Sequence, residues 1–282
     1  MNKNKFVKTP PMDWNSYYYY DTTVNESQIK RNADFMAKNL KDMVGNMLLL
    51  IYNGMLIKMV QCVVNSAGFK PLAEYIHNLG LNFGIHIMRG IPRIAAHIHS
   101  KIKDIEATAD MITNPSSIWD CNLDMYGVRN TNEGQAYYDS LIKLYSSFGV
   151  DFIKCDDFCN TNIYPDNQYS AKYEIEMLSK AIQKCGRSIV LSLSPGPALI
   201  NKVWHYEKHA NMWCITNDFW INRTYVALFN LSDEISITSV NLQKIESGIK
   251  LNNLYINKIC IIINKAIVKE LSPHTSNIYE LV

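Results

Sequence analysis

Asp156 and Asp157 in VDFIKCDD, Asp218 in ANMWCITNDFW, Ser194 in SIVLSLSPG and His86 in LNFGIHIMRG each stand at or near the end of a short apolar run. Two carboxylates on different runs suit a reaction in which one attacks an electrophilic carbon while the other moves a proton, and cleavage of a glycosidic bond is one reaction that needs such a pair. Other groups read more plainly. His86, on an apolar run, reads as a packed, hydrogen-bonded core histidine. Asp157 reads equally as a loop-orienting group or a substrate contact, Cys155 and Cys159 as buried thiols, and the His97/His99 pair as lacking a third metal ligand. From these residues alone the chain is an α/β enzyme with a carboxylate-rich site.

Each of these runs follows an amphipathic helical stretch. GFKPLAEYIHNLG predicts a helix stopped by Gly80, ahead of the strand LNFGIHIM. EGQAYYDSLIKLYSSFG predicts another, with apolar positions at Tyr137, Leu141, Leu144, Tyr145 and Phe148, ahead of VDFIKCDD. YEIEMLSKAIQKCG precedes SIVLSLSPG, and a helix near Val203 to Lys208 precedes ANMWCITNDFW. This is the βαβ rhythm of a parallel sheet, whose strand C-termini form one face on which residues distant in sequence converge. After Trp220 the rhythm gives way to TYVALFNLSDEISITSVNL, which predicts an antiparallel strand pair around the Ser-Asp turn.

Composition excludes several function classes. The 282 residues carry a formal charge of only +2, with no basic block to mark a nucleic-acid or anionic-membrane surface, and Tyr17 to Tyr20 lack the basic interleaving of a base-stacking platform. The expected partner is a neutral small molecule. The longest apolar runs fall far short of a bilayer span. The N-terminal MNKNKFVKTPPMDW has no apolar leader core, and seven cysteines without repeated spacing do not make a disulfide framework, so a cytoplasmic location is expected.

Five segments, TPPMDWNS, GFKPLAEYIHNLGLNFGIHIMRGIPR, DFIKCDD, IVLSLSPGPA and ANMWCITNDFW, resemble glycoside hydrolase family 27 in order across most of residues 7 to 220. The end of the chain, YVALFNLSDE to LSPHTSNIYEL, resembles that family's C-terminal β domain. The resemblance implies an α/β fold: an incomplete (β/α)8 TIM-type barrel over residues 7–220, then a small antiparallel β domain over 221–282. It implies a retaining glycosidase that removes terminal α-D-galactose from oligosaccharides such as α-galactosides, without metal or organic cofactor. Asp156 takes the nucleophile position and Asp218 the general acid/base position. Lys154 would hydrogen-bond the sugar and keep Asp156 ionised, Trp14 would line the sugar pocket, and Ser192 and Ser194 lie in the Ser192 to Gly196 loop that decides which C2 substituent is accepted.

Four departures from the family pattern bear on activity. Asp13 stands where the first strand carries glycine, and Cys214 replaces a sugar-binding arginine with its forked donors. The second strand, resembling YGWEYVVVDIQWY and bearing an aspartate for the galactose hydroxyls, is replaced at Met43 to Met55 by MVGNMLLLIYNGM. Permitted codons for that segment, read one base upstream, spell YGWEYVVVDIQWY, so it reads as the family strand out of frame. Finally, Trp220 leads almost directly into the β domain, where the family places its last two barrel strands; because strand number, tilt and shear are coupled, that predicts an incomplete barrel. These losses make a catalytically inactive, degenerate family member the alternative.

Overall fold

Short strands of two to seven residues lie side by side in the first part of the chain. In the computed structural model β1 (Met12–Asn15), β2 (Leu48–Tyr52), β3 (Asn82–Met88), β7 (Phe152–Asp156), β8 (Val190–Leu193) and β9 (Met212–Trp213) form one sheet in the order β1-β2-β3-β7-β8-β9. Every pairing in it is parallel. Three short strands, β4 (Ile91–Pro92), β5 (Thr113–Asn114) and β6 (Met125–Val128), make a separate antiparallel sheet between β3 and β7 in sequence. The structure describes residues 11–20, 23–40, 48–52, 68–114, 124–158, 169, 171–194, 198–215, 225–230, 232–241, 250–253, 258–261, 266–273 and 275–281.

The sheet keeps its strands in chain order. A doubly wound sheet reverses order at a switch point; a sheet whose strands succeed one another without reversal grows in one rotational sense. The segment with the odd second-strand sequence still supplies β2, because a continuous run such as Leu48-Leu49-Leu50-Ile51 suits a strand flanked by parallel neighbours.

Alternation divides the faces of the sheet. Phe83, Ile85, Ile87, Ile153, Cys155, Leu191 and Leu193 are all 4% exposed or less and belong to the main core with the helices Lys70–Asn78, Asn132–Ser147 and Lys172–Lys184. Full burial of each large apolar side chain contributes about 1.5–3 kcal/mol. In the helix Asn132–Ser147 Tyr145 is buried as expected, but Tyr138 and Ile142, each one position on from Tyr137 and Leu141, complete the buried stripe, while Tyr137, Leu141 and Phe148 pack at its margin. At the strands' N-terminal end, Asp151 accepts from the Phe83 amide at 2.9 Å and pairs with His77 at 2.7 Å and with Arg187. That end is tied for stability, which leaves the other end for chemistry.

The chain divides into two compact units, Met1–Asp218 and Phe219–Val282. In the second, β10 (Tyr225–Asn230), β15 (Thr275–Leu281), β12 (Lys250–Asn253) and β13 (Lys258–Ile261) form one antiparallel sheet in that order; β11 (Ser236–Asn241) pairs with β14 (Ala266–Leu271) in another. The expected pairing of the strands on either side of Ser232-Asp233 is therefore corrected: both strands form, but in different sheets. Asn230 gives the reason. It is buried, its amide donates to the carbonyls of Glu234, Leu271 and Ser272, and its oxygen accepts from Ser232, so the segment turns a corner between sheets.

Candidate active site

The face opposite the helices carries the polar residues of the same strands. His86, Lys154, Ser192 and Met212 lie in one row of register across β3, β7, β8 and β9, and Met88 pairs with Asp156 one step nearer the strands' C-terminal ends. Phe152 and Val190 pair below that row, and Phe152 packs against Val190 and Met212.

Asp156 is fully engaged. Its Oδ1 accepts from Lys154 Nζ at 2.7 Å and from the Ser194 hydroxyl, and its Oδ2 lies 2.7 Å from His86 Nε2. Burial raises the carboxyl pKa, but the hydrogen bond and charge of His86, and then Lys154, outweigh it and hold the group well below the ordinary carboxylate range. The result is an anion on a half-buried, polar strand end. His86 is packed and hydrogen-bonded as its apolar strand implies, yet its partner is Asp156, a connection its own run does not reveal. Period-two alternation could have found it, since His86 and Lys154 occupy equivalent polar positions of neighbouring strands.

Asp157 faces away from this row and serves the backbone. It has φ +70° and is 8% exposed; Arg89 Nε and Nη2 both donate to its Oδ2, at 3.0 and 2.6 Å. Arg89 Nη1 donates to Glu174, whose other oxygen accepts from the Val128 amide at 3.0 Å and Tyr138 Oη at 2.8 Å. The Arg89 amide donates to the Asp156 carbonyl at 3.1 Å. Burial pushes the Asp157 carboxyl up to about 6 against the opposing pull of Arg89. Gly90 makes the turn possible: its φ is +92°, and a Cβ there would come within 2.1 Å of the Tyr126 carbonyl oxygen. Neither Arg89 nor Glu174 was legible as part of the site, because a buried ion pair gives no local pattern.

The remaining expected residues are distributed as follows. Ser194 is buried and bonded to Asp156, and Ser192 sits beside Lys154 in register. Trp14 is in register with Leu50, and through it with Phe83, so alternation sets it on the helix-facing side of the sheet, where it packs edge-on to Tyr20 at 6.1 Å and against the core. Asp13 and Asn15 take the opposite face. Desolvation raises the Asp13 carboxyl, while its own backbone hydrogen bond and the charge of Lys154 pull it down. Cys214 follows β9; its amide donates to the Leu193 carbonyl at 3.0 Å and its carbonyl accepts from Ala198 at 2.9 Å. Asp218 and residues 195–197 lie outside the described residues, as do Cys159 and most of Met43 to Met55.

No family model matches the chain. It is similar to alpha-galactosidase 3 of Arabidopsis thaliana, 26% identical over 238 residues that take in 79% of this chain and 44% of that protein. It is also similar to the alpha-galactosidase of Coffea arabica, 27% identical over 229 residues, 74% of this chain and 47% of that one. The chain thus spans about half the length of the curated relatives it matches. Among solved structures it is similar to a GH27 β-L-arabinopyranosidase from Geobacillus stearothermophilus, 28% identical with a TM-score of 0.72, over 100% of this chain and 98% of that chain. Sequence and fold likeness point to the same group of proteins, the glycosidases of glycoside hydrolase family 27.

Proposed function

We propose that this chain is a retaining glycosidase for terminal α-D-galactose, working by double displacement on the arc of a (β/α)8 barrel. The observation that carries the reading is the Asp156 carboxylate, held anionic by His86, Lys154 and Ser194 at the C-terminal end of a strand in an unreversed parallel sheet. Asp156 attacks the anomeric carbon; the bond to the leaving oxygen breaks, and that oxygen takes a proton from Asp218. Asp218, now a base, then removes a proton from water, which attacks the same carbon and releases Asp156. Lys154 keeps Asp156 ionised and reaches the sugar hydroxyls, and Ser192 stands beside it at the C2 end of the pocket.

A second reading, an inactive member that at most binds sugar, is favoured by two departures. Cys214 stands where the family pattern carries an arginine, and aligning YGWEYVVVDIQWY on Met43 to Met55 puts the sugar-binding aspartate at Ile51. Ile51 lies in register with Asn15 and Gly84. The test is p-nitrophenol release by the purified chain from p-nitrophenyl α-D-galactoside, β-L-arabinopyranoside and α-N-acetylgalactosaminide. Turnover is expected on the first and exceeds that on the others; a soluble, folded sample with none on any of the three overturns the enzymatic reading and leaves the sugar binder.

The departure at Cys214 makes a further expected result. Restoring the guanidinium with Cys214→Arg adds a charge-assisted hydrogen bond worth about 1.5–3 kcal/mol, so kcat/KM on the α-galactoside rises by roughly 10- to 150-fold. Steady-state kinetics on the folded variant check this. Unchanged kcat/KM would mean that position 214 does not reach the sugar.

A further inference from the structure

On the outer side of the first unit, His205 and His209 share one face of the short helix Val203–His209, and Glu176 meets them from the helix Lys172–Lys184. Nothing in the glycosidase reading uses these three residues. One ligand atom from each lies within 4.8 Å of the other two, His205 Nε2 is 3.0 Å from Glu176 Oε1, and the two imidazole rings are 4.5 Å apart between centroids. From these observations we infer a divalent transition-metal site, with zinc as its preferred ion, formed by Glu176, His205 and His209.

Four features support it. Histidines at i and i+4 project side by side from a helix, so two nitrogen donors arrive already on one face. Zinc held at about 2.0–2.1 Å by nitrogen and oxygen ligands in a tetrahedron separates its ligand atoms by roughly 3.3 Å; the Glu176 to His205 distance is near this, and the 4.8 Å limit leaves His209 a small side-chain adjustment away. His205 is 1% exposed and its Nδ1 is hydrogen-bonded to Tyr169 Oη. With the ring proton on Nδ1 and donated to Tyr169, the Nε2 lone pair is turned towards Glu176 and can share an ion with it; without an ion, the other tautomer lets Nε2 donate to Glu176 at the same 3.0 Å. Such a partner on the far ring nitrogen fixes the tautomer of a metal-bound imidazole. Glu176 and His209 are each only partly buried, which gives the ion an entry path and leaves room for water as the fourth ligand.

Two cations work against binding. Lys172 Nζ lies 4.0 Å from Glu176 Oε1, and the Lys208 charge also acts on His205. Lys172 is partly exposed and can turn its ammonium into water when a dication takes Glu176, so its cost is small. The ion would act as a clip between two helices that pack outside the sheet. It stands apart from Asp156 and takes no part in the proposed hydrolysis, so the two proposals fail separately.

The experiment is a zinc titration of the full chain without a histidine tag, stripped with a chelator and kept reduced, followed by calorimetry and by thermal unfolding. One zinc per chain with a Kd of about 10 µM or tighter and a higher melting temperature is expected, with no response to magnesium, whose hard, octahedral preference the nitrogen donors do not meet. His209→Ala and Glu176→Gln should each weaken binding at least tenfold and remove the thermal shift. They are chosen because both side chains are partly exposed, whereas a His205 variant leaves Tyr169 and the core around it unsupported. An absence of saturable zinc binding in the wild type overturns the site. So does binding of equal affinity in both variants, which would place the metal on cysteines elsewhere.

Discussion

Asp156→Ala lowers kcat/KM on the α-galactoside by at least about 10⁴-fold, the scale on which removal of a nucleophile or its partner abolishes covalent catalysis. The prediction follows from the geometry at the end of β7. Lys154, His86 and Ser194 all direct their donors at one carboxylate, and none of the three can replace it as the atom that bonds to the anomeric carbon. A readout that a structural role would not move is rescue by azide in Asp156→Gly. The small anion enters the space left by the side chain and attacks from the same side, so the product is the β-galactosyl azide, inverted relative to the substrate. Retention of more than about 1% of wild-type turnover in Asp156→Ala would remove Asp156 from the mechanism. The variant also has a signed stability signature. The folded pKa of Asp156 is held below its unfolded value, so its contribution is fully present above the ordinary carboxylate pKa of about 3.9 and is lost as pH falls towards the folded value. The stability deficit of Asp156→Ala is therefore larger at pH 7 than at pH 3. For the same reason, an acid limb of activity between pH 4 and 6 reports another group.

What the sequence made legible were features with a period. The helices ahead of each strand, and the strands β3, β7 and β8, follow from apolar positions repeating at 3.6 or 2 residues and from stops such as Gly80. The Lys154-Cys155-Asp156 strand end is equally plain, because alternation turns Lys154 and Asp156 to one side and Cys155 to the core. Less legible was anything set by a partner far along the chain. Arg89 and Glu174 are 85 residues apart and read as ordinary loop and helix charges until they meet, each 2% exposed. Trp14 shows the opposite failure: the motif around it suggested a pocket wall, whereas the β1 register sets it with Phe83 against the helices. The strands flanking Ser232-Asp233 had the composition of a hairpin, but hairpins are decided by which edges are open, and the C-terminal strands β14 and β15 take both. The i, i+4 pair His205 and His209 lay within a foreseen helix; what singles it out is Glu176 from the neighbouring helix, which no local pattern predicts.

Arg89→Met destabilises the first unit by about 3–5 kcal/mol at pH 7.5, because it leaves two carboxylates buried without their cation. Arg89 is 2% exposed, donates twice to Asp157 and once to Glu174, and its backbone amide holds the Asp156 carbonyl. Methionine fills much of the volume, so a lost cavity is not the main cost. The charge count is. With Arg89 present, one cation faces two acids, and burial already lifts Asp157 to about 6, above the unfolded value of about 3.9. An acid with a raised folded pKa holds its proton more tightly when folded, so it opposes folding progressively as pH rises from the unfolded to the folded value. Removing the guanidinium, which pulls Asp157 down, lifts that carboxyl further and widens the window towards neutrality. The deficit of Arg89→Met is therefore smaller at pH 5, where Asp157 can take up a proton, than at pH 7.5. Urea unfolding at the two pH values separates this from simple loss of packing, which would give the same deficit at both. Activity should fall as well, because the Arg89 amide and the Asp157 turn fix the backbone on which the Asp156 carboxylate is aimed. If the unfolding free energy drops equally at both pH values, the cluster is held by shape rather than by charge, and Asp157 and Glu174 do not compete for one cation.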